Sequence, residues 1–447
     1  MSSADDQNLQ KMSAETAYDN ARHNVLRAYP SPKRGGDRLY PLAAPSAKPS
    51  FQMGRNDQVF TIGSCFARNV EASLVDIGMT VTSNESELGP IGDSLGFTQN
   101  FFNKYSIHSI YNDLKWALER DSYPEDEVIY PMHKEGIYAD LQLGMPKLEF
   151  PLEQIRDFRS RYLDVLARVA TADVVIITLG YVETWYDTKL GIYLNTSPPQ
   201  PLVKAHPSRF EFRVLSYQDV LGALRDVYAL LIKHRTKPLK MLVTVSPVPL
   251  LSTFRDVDVL VANTYSKSVQ RAAIDEFIRD AEGVDYFPSY EFVILSNPEI
   301  AWARGDYRHV SPDIVARIMS NVVTQYVKGG AGSETMTIGA LQSSVRMLYK
   351  MEDYTALQAL GQQHADQFNS DGDLLVLLGN SYVKTRDMQA AFDLFQVAHN
   401  VAPDKPTPLE RLITLCRPTR QTELAAQLLK KHELLFPDRQ TFRTNAT

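Results

Sequence analysis

The chain has 447 residues, 44% of them hydrophobic and 22% charged, and a formal net charge of -6. At roughly one domain per 150 residues this is material for two or three globular units, and the acidic balance argues against a binder that neutralises phosphates with clustered Lys and Arg. Two cysteines, Cys65 and Cys416, make a disulfide framework improbable; with no signal-like or bilayer-length apolar run, the expectation is a soluble, cytoplasmic protein without a membrane span.

In chain order, residues 1–50 form an N-terminal extension rich in Ser, Ala, Pro and charge, expected to be largely irregular with one short helix near Ala14 to Arg27. Apolar strand-like runs follow at Val59 to Ile62, Val174 to Leu179, Lys240 to Val245 and Val284 to Phe287. Between them lie helix-length segments: 65–77 before Gly78, 152–170, 217–233, and 263–282 with a stripe of Val269, Ala273 and Phe277 beside Ile274 and Ile278. Strands alternating with amphipathic helices predict an α/β fold of doubly wound character around a parallel sheet, closed by a helix from Pro312 to Val327.

Beyond Lys328 the composition changes. After the flexible-looking GGAGSET, strand signals vanish and Leu378, Gly379, Tyr382, Ala391, Phe395, Ala398 and Pro403 take the 34-residue tetratricopeptide spacing. One period earlier Asp353, Ala356 and Leu357 align with Asp387, Ala390 and Ala391; one period later Ala425 and Pro437 align with Ala391 and Pro403. The domains expected are therefore 51–328, which holds the chemistry, and 335–440, two or three helical repeats or a plain helical appendage.

Two elements carry candidate chemistry. Gly63-Ser64 falls where a strand ends and a helix begins, the place where open α/β sheets bind ligands and where helix amides favour developing negative charge. Ser64 is therefore either a nucleophile, its own amide available to an oxyanion, or simply a helix cap. Asp306 and His309, three residues apart, can share one side of a turn, so that the carboxylate holds the imidazole as general base for a hydroxyl. A surface histidine beside a solvated aspartate is the plainer explanation.

Taken together, Thr61-Ile-Gly-Ser-Cys-Phe-Ala67 resembles the signature of the GSCFA domain family, related to the SGNH and PC-esterase acyl hydrolases. Phe102-Asn103-Lys104-Tyr105-Ser106-Ile107 is similar to that family's Tyr-Asn-Pro-x-Ser-Ile block, with Lys104 in place of proline, and Thr178 to Trp185 to its Leu-Gly-x-x-Glu-x-Trp block. Val245 to Pro249 and Asp306 to His309 complete the order over roughly 50–325. The resemblance implies a three-layer α/β/α SGNH-hydrolase-like fold, with Ser64 as nucleophile and Asp306 and His309 as its partners. It also implies an oxyanion hole drawing on the Ser64 amide, a glycine amide and an asparagine side chain. The usual Gly-x-Asn-Asp block is absent, so Asn103 is the candidate asparagine, and Gly180 competes with Gly89, Gly92 and Gly96 for the glycine.

Glu183 and Trp185 follow a buried strand and point toward the same cleft, where they would bind a sugar hydroxyl and a sugar face; alternatively Glu183 pairs with a nearby arginine such as Arg308 and Trp185 covers the strand's edge. Cys65 is the rival nucleophile, with its side chain expected to turn away from the cleft. No paired histidine spacing indicates a metal, His133 and His206 read as loop residues, and no phosphate-cradling Gly-x-x-x-x-Gly-Lys occurs. The expectation is an esterase or O-acyltransferase for an acylated carbohydrate or similar small ester, needing no cofactor, with a protein partner at the repeats. The alternative is a non-catalytic recognition module using the α/β cleft and the repeats.

Overall fold

The computed structural model describes residues 10–31, 38–39, 42–54, 56–76, 79–83, 88, 102–132, 134–143, 149–303, 305–327, 338–350, 352–416, 421–439 and 442. The chain divides into two compact units, Met1–Ala331 and Gly332–Thr447.

The strands of the first unit, in chain order, are β1 (Gln58–Gly63), β2 (Thr80–Val81), β3 (Ile129–Pro131), β4 (Tyr138–Asp140), β5 (Glu149–Phe150), β6 (Val174–Leu179), β7 (Glu183–Asp187), β8 (Ile192–Leu194), β9 (Phe210–Val214), β10 (Met241–Val245) and β11 (Val284–Tyr286). Five of them form a parallel sheet in the order β11-β10-β6-β1-β2. Every residue of β6 and β10 is buried, as strands covered on both faces must be, which explains why they read as continuous apolar runs rather than alternating ones. The helices Cys65–Asp76, Leu152–Ala167, Tyr217–His234, Val259–Asp280 and Pro312–Tyr326 match the periodic segments of the sequence. Tyr217–His234 opens with a capping box in which Ser216 and Asp219 satisfy each other's backbone amides.

Two small antiparallel sheets, β3-β4-β5 and β8-β7-β9, were not expected from the sequence. Their strands are two to five residues long, too short to display a period. In the second, Trp185 pairs with Leu194 on one side and Phe212 on the other, so Glu183 and Trp185 lie on a strand of their own.

Among its described residues the N-terminal extension forms the helix Ala14–His23, capped by Ser13. Its later part runs along the body through backbone bonds from Ala43 to Ser296 Oγ (2.9 Å) and from Ser50 to Asp285 Oδ2 (2.8 Å). Lys104, where the family block has proline, is completely buried in a charge cluster. It pairs with Asp113, which also accepts from Arg159 Nη1 (3.1 Å) and Tyr162 OH (2.9 Å), while Arg159 Nε reaches Asp140 at 2.7 Å. Removing one member would leave an uncompensated buried charge, so the cluster ties the Asn103 loop rigidly to helices Ile107–Leu118 and Leu152–Ala167.

The second unit is helical: Ile338–Lys350, Tyr354–Gln363, Ala365–Asn369, Gly372–Lys384, Met388–Val401, Pro406–Cys416 and Thr422–Leu435. A Cβ on Gly379 would lie 2.5 Å from the Phe395 ring, so the glycine permits the close crossing of Gly372–Lys384 with Met388–Val401. Ala391 and Ala398 are buried in the same packing. Among the described residues of either unit, no helix is long and apolar enough to cross a membrane.

Candidate functional site

The site begins with a backbone requirement. Gly63 closes β1 at φ +137°, and a Cβ there would stand 2.1 Å from the Thr178 carbonyl oxygen, so only glycine lets β1 approach β6 this closely. Ser64 follows at 3% exposure. Its amide donates to Thr178 O (2.9 Å), its hydroxyl meets Thr178 Oγ1 (3.1 Å), and Oγ accepts from the Phe66 amide (3.3 Å) in the first turn of helix Cys65–Asp76. Ser64 is thus held as a cap and also lines a cleft of about 360 Å³ at the carboxyl end of the sheet.

The expected role of the Ser64 amide needs correction, because that N-H is engaged by β6 and does not face the cleft as a free donor. Asn103 lies beside the serine, bridged in parallel to Gly63, with the Lys104 amide donating to Gly63 O at 2.6 Å. Gly180 lines the cleft, and a Cβ on it would come 2.6 Å from Tyr105 O. Gly89, Gly92, Gly96 and His133 lie outside the described residues. His206 is described but is not among the cleft-lining residues.

Asp306 and His309 form the expected pair: His309 Nδ1 lies 2.6 Å from Asp306 Oδ2. Asp306 Oδ1 also accepts the amides of Arg308 (2.9 Å) and His309 (2.8 Å), and these two bonds, ahead of the imidazole, hold its pKa down to about 2. The turn is clamped by the Ala303 amide donating to His309 O (2.7 Å) and that of Ser311 to Ala301 O (2.9 Å). The imidazole and carboxylate are 45% and 41% exposed. His309 makes no hydrogen bond to Ser64, and the residue of this turn that lines the cleft is Arg308.

Glu183, 6% exposed, accepts from Thr253 Oγ1 with both oxygens (2.8 and 2.9 Å), so its expected alternative partner, Arg308, is not the one it takes. Trp185 packs edge-on against Phe212 (5.5 Å) and Phe254 (5.3 Å), and all three rings line the cleft. Tyr105 and Tyr181, stacked at 5.3 Å, supply another wall. Cys65 is a second correction: it lines the cleft rather than turning away. Burial raises its thiol pKa, an effect that Lys267 and Arg308 only partly oppose, which keeps it in the poorly nucleophilic thiol form.

Lys267 was missed. Its buried ammonium donates to Gly180 O (2.6 Å) and Val248 O (2.9 Å), pinning two cleft-lining segments, and burial lowers its pKa to about 7. A signal existed: Lys267 precedes Gln270, Ile274 and Phe277 at helical spacing, on the buried face of Val259–Asp280. Arg308 gave no signal of its own, since the register of a turn decides which of three adjacent side chains faces inward.

These features define an α/β protein with a parallel five-stranded sheet, a polar and aromatic cleft outside its carboxyl edge, and a separate helical unit. The chain belongs to the GSCFA family, whose model matches residues 58–322. No curated protein matches it.

Proposed function

We propose that this chain is a serine-dependent acyl ester hydrolase or O-acyltransferase for an acylated carbohydrate or similar small ester, built on an SGNH-like variant of the α/β fold. The observation that carries the reading is the Asp306-His309 pair at 2.6 Å, in the same turn as an arginine that shares a cleft with Ser64. Ser64 Oγ exchanges Thr178 for His309 Nε2, a rearrangement in keeping with the loose geometry of unliganded catalytic sites. Oγ then attacks the acyl carbonyl carbon as His309 takes its proton. Collapse breaks the bond to the leaving alcohol, which receives that proton, and leaves an acyl-Ser64 ester. Water or a sugar hydroxyl attacks this ester, again giving its proton to His309, and Ser64 is restored when the proton returns. The Asn103 side chain and the Gly180 amide serve the oxyanion, Glu183 takes a sugar hydroxyl, and Trp185 offers a ring to a sugar face.

In this reading the helical unit is a set of tetratricopeptide-like repeats that bind a protein partner, supported by the Gly379-Phe395 crossing. A reducing, cytoplasmic setting accords with two free thiols, Cys65 and Cys416.

A second reading, a glycan-recognition module without chemistry, is favoured by one observation: Ser64 is bonded to Thr178 while His309 lies outside the cleft lining. Labelling with a fluorophosphonate separates the two. The enzyme reading expects labelling of the wild type that is lost in Ser64→Ala and strongly reduced in His309→Ala; an unlabelled, folded wild type leaves the recognition module.

A further inference from the structure

Arg308 differs from four other buried or partly buried arginines of this unit in the partner of its guanidinium. Arg68 pairs with Glu71, Arg159 with Asp113 and Asp140, Arg209 with Asp187, and Arg235 gives its guanidinium to the carbonyls of Val169 and Ala172. Arg308 has no ion-pair partner among the described residues; its Nε is buried without an acceptor, as are nitrogens of Arg68, Arg159 and Arg235, but the guanidinium groups of those three are engaged elsewhere. A buried donor left unsatisfied is costly and calls for an explanation, one of which is a ligand not yet present.

Three facts locate that ligand. Arg308 lines the cleft together with Ser64 and Cys65. Its charge acts on the Cys65 thiol and on the phenols of Tyr105 and Tyr181, groups whose pKa values burial raises, so it belongs to the serine's part of the cleft. Its backbone is fixed by its N-H donating a hydrogen bond to Asp306 Oδ1 at 2.9 Å. The one carboxylate that lines the cleft among the described residues, Glu183, is engaged by Thr253 and leaves the guanidinium unneutralised.

We propose that Arg308 is a specificity residue that receives a carboxylate on the substrate, making the preferred ligand an acidic sugar such as a uronic acid. This rests on the carbohydrate reading of the same cleft and narrows it. A guanidinium fork matches a carboxylate with two parallel bonds, stronger than bonds between neutral groups and more selective than an ammonium.

The test is calorimetric titration of the full chain with D-glucuronate and with D-glucose, for the wild type, Ser64→Ala, Arg308→Gln and Arg308→Lys. The wild type and Ser64→Ala should bind glucuronate about tenfold or more tightly than glucose, as one charge-assisted pair implies. Arg308→Gln should erase that preference with glucose affinity within about twofold, Arg308→Lys should keep part of it, and added salt should weaken it. Equal affinities in the wild type, no saturable glucuronate binding, or a preference that survives Arg308→Gln would each overturn the proposal. Because Ser64→Ala is included, binding is read independently of turnover: a glucuronate preference without fluorophosphonate labelling would reject the esterase and keep the acidic-sugar site.

Discussion

Ser64 and Thr178 are joined twice, once through backbone, with the serine amide donating to the threonine carbonyl at 2.9 Å, and once through side chains, with the hydroxyls 3.1 Å apart. The strand neighbour of the candidate nucleophile therefore governs which way its hydroxyl points. Thr178→Val keeps the shape of β6 and removes the side-chain bond. On the esterase reading, in which Oγ must leave Thr178 for His309 Nε2, removing this competing bond should raise kcat on p-nitrophenyl acetate about threefold to tenfold, with stability reduced by about 1 kcal/mol for the lost buried bond. An unchanged kcat would mean that Thr178 plays no part in aiming the serine.

Gly63 is held more strictly. Alanine at φ +137° would be strained by about 1–3 kcal/mol before any clash, and its Cβ would sit 2.1 Å from a carbonyl that cannot move without opening the sheet. Gly63→Ala should shift the urea midpoint downward by an amount equivalent to about 3 kcal/mol or more. A midpoint within error of the wild type would show that β1 does not need this close approach to β6.

Asp306 acts on its turn as an ionised acceptor. Because its pKa is lowered to about 2, its contribution is complete above the ordinary carboxylate value of 3.8 and is lost only as pH falls through about 2. Any acidic limb of activity between pH 5 and 7 should therefore belong to another group, and Asp306→Asn should lower kcat about a thousandfold or more by releasing the imidazole from its tautomer. Steady-state rates against pH for both proteins check this; a variant retaining more than half the wild-type kcat would remove Asp306 from the mechanism.

Lys267 has the opposite linkage. Its folded pKa of about 7 lies below the ordinary 10.5, so between these values the unfolded chain binds more protons and stability should rise with pH across that window. Lys267→Met should flatten this part of the Tm-against-pH curve. It should also loosen Gly180 and Val248, whose carbonyls lose a donor worth about 1–3 kcal/mol in total. Parallel curves for the two proteins would place the titration elsewhere.

The amino-acid order alone determined the parallel α/β body, since apolar runs such as Val174–Leu179 and the amphipathic helices between them are set by local periodicity. It also determined the Asp306-His309 pair, because three residues of a turn bring the two side chains together without help from the rest of the fold. What needed the tertiary structure was every relation across the sheet. The Ser64 amide goes to Thr178, 114 positions away, Glu183 takes Thr253 rather than Arg308, and Cys65 enters the cleft it was expected to avoid. Short strands such as Glu183–Asp187 carry too few residues to announce themselves, and the inward turn of Arg308 depends on how the turn that carries it meets the sheet. Local sequence fixes dihedral preferences over a few residues; which donor finds which acceptor is decided only when burial makes each unsatisfied group costly and the chain must resolve all of them at once.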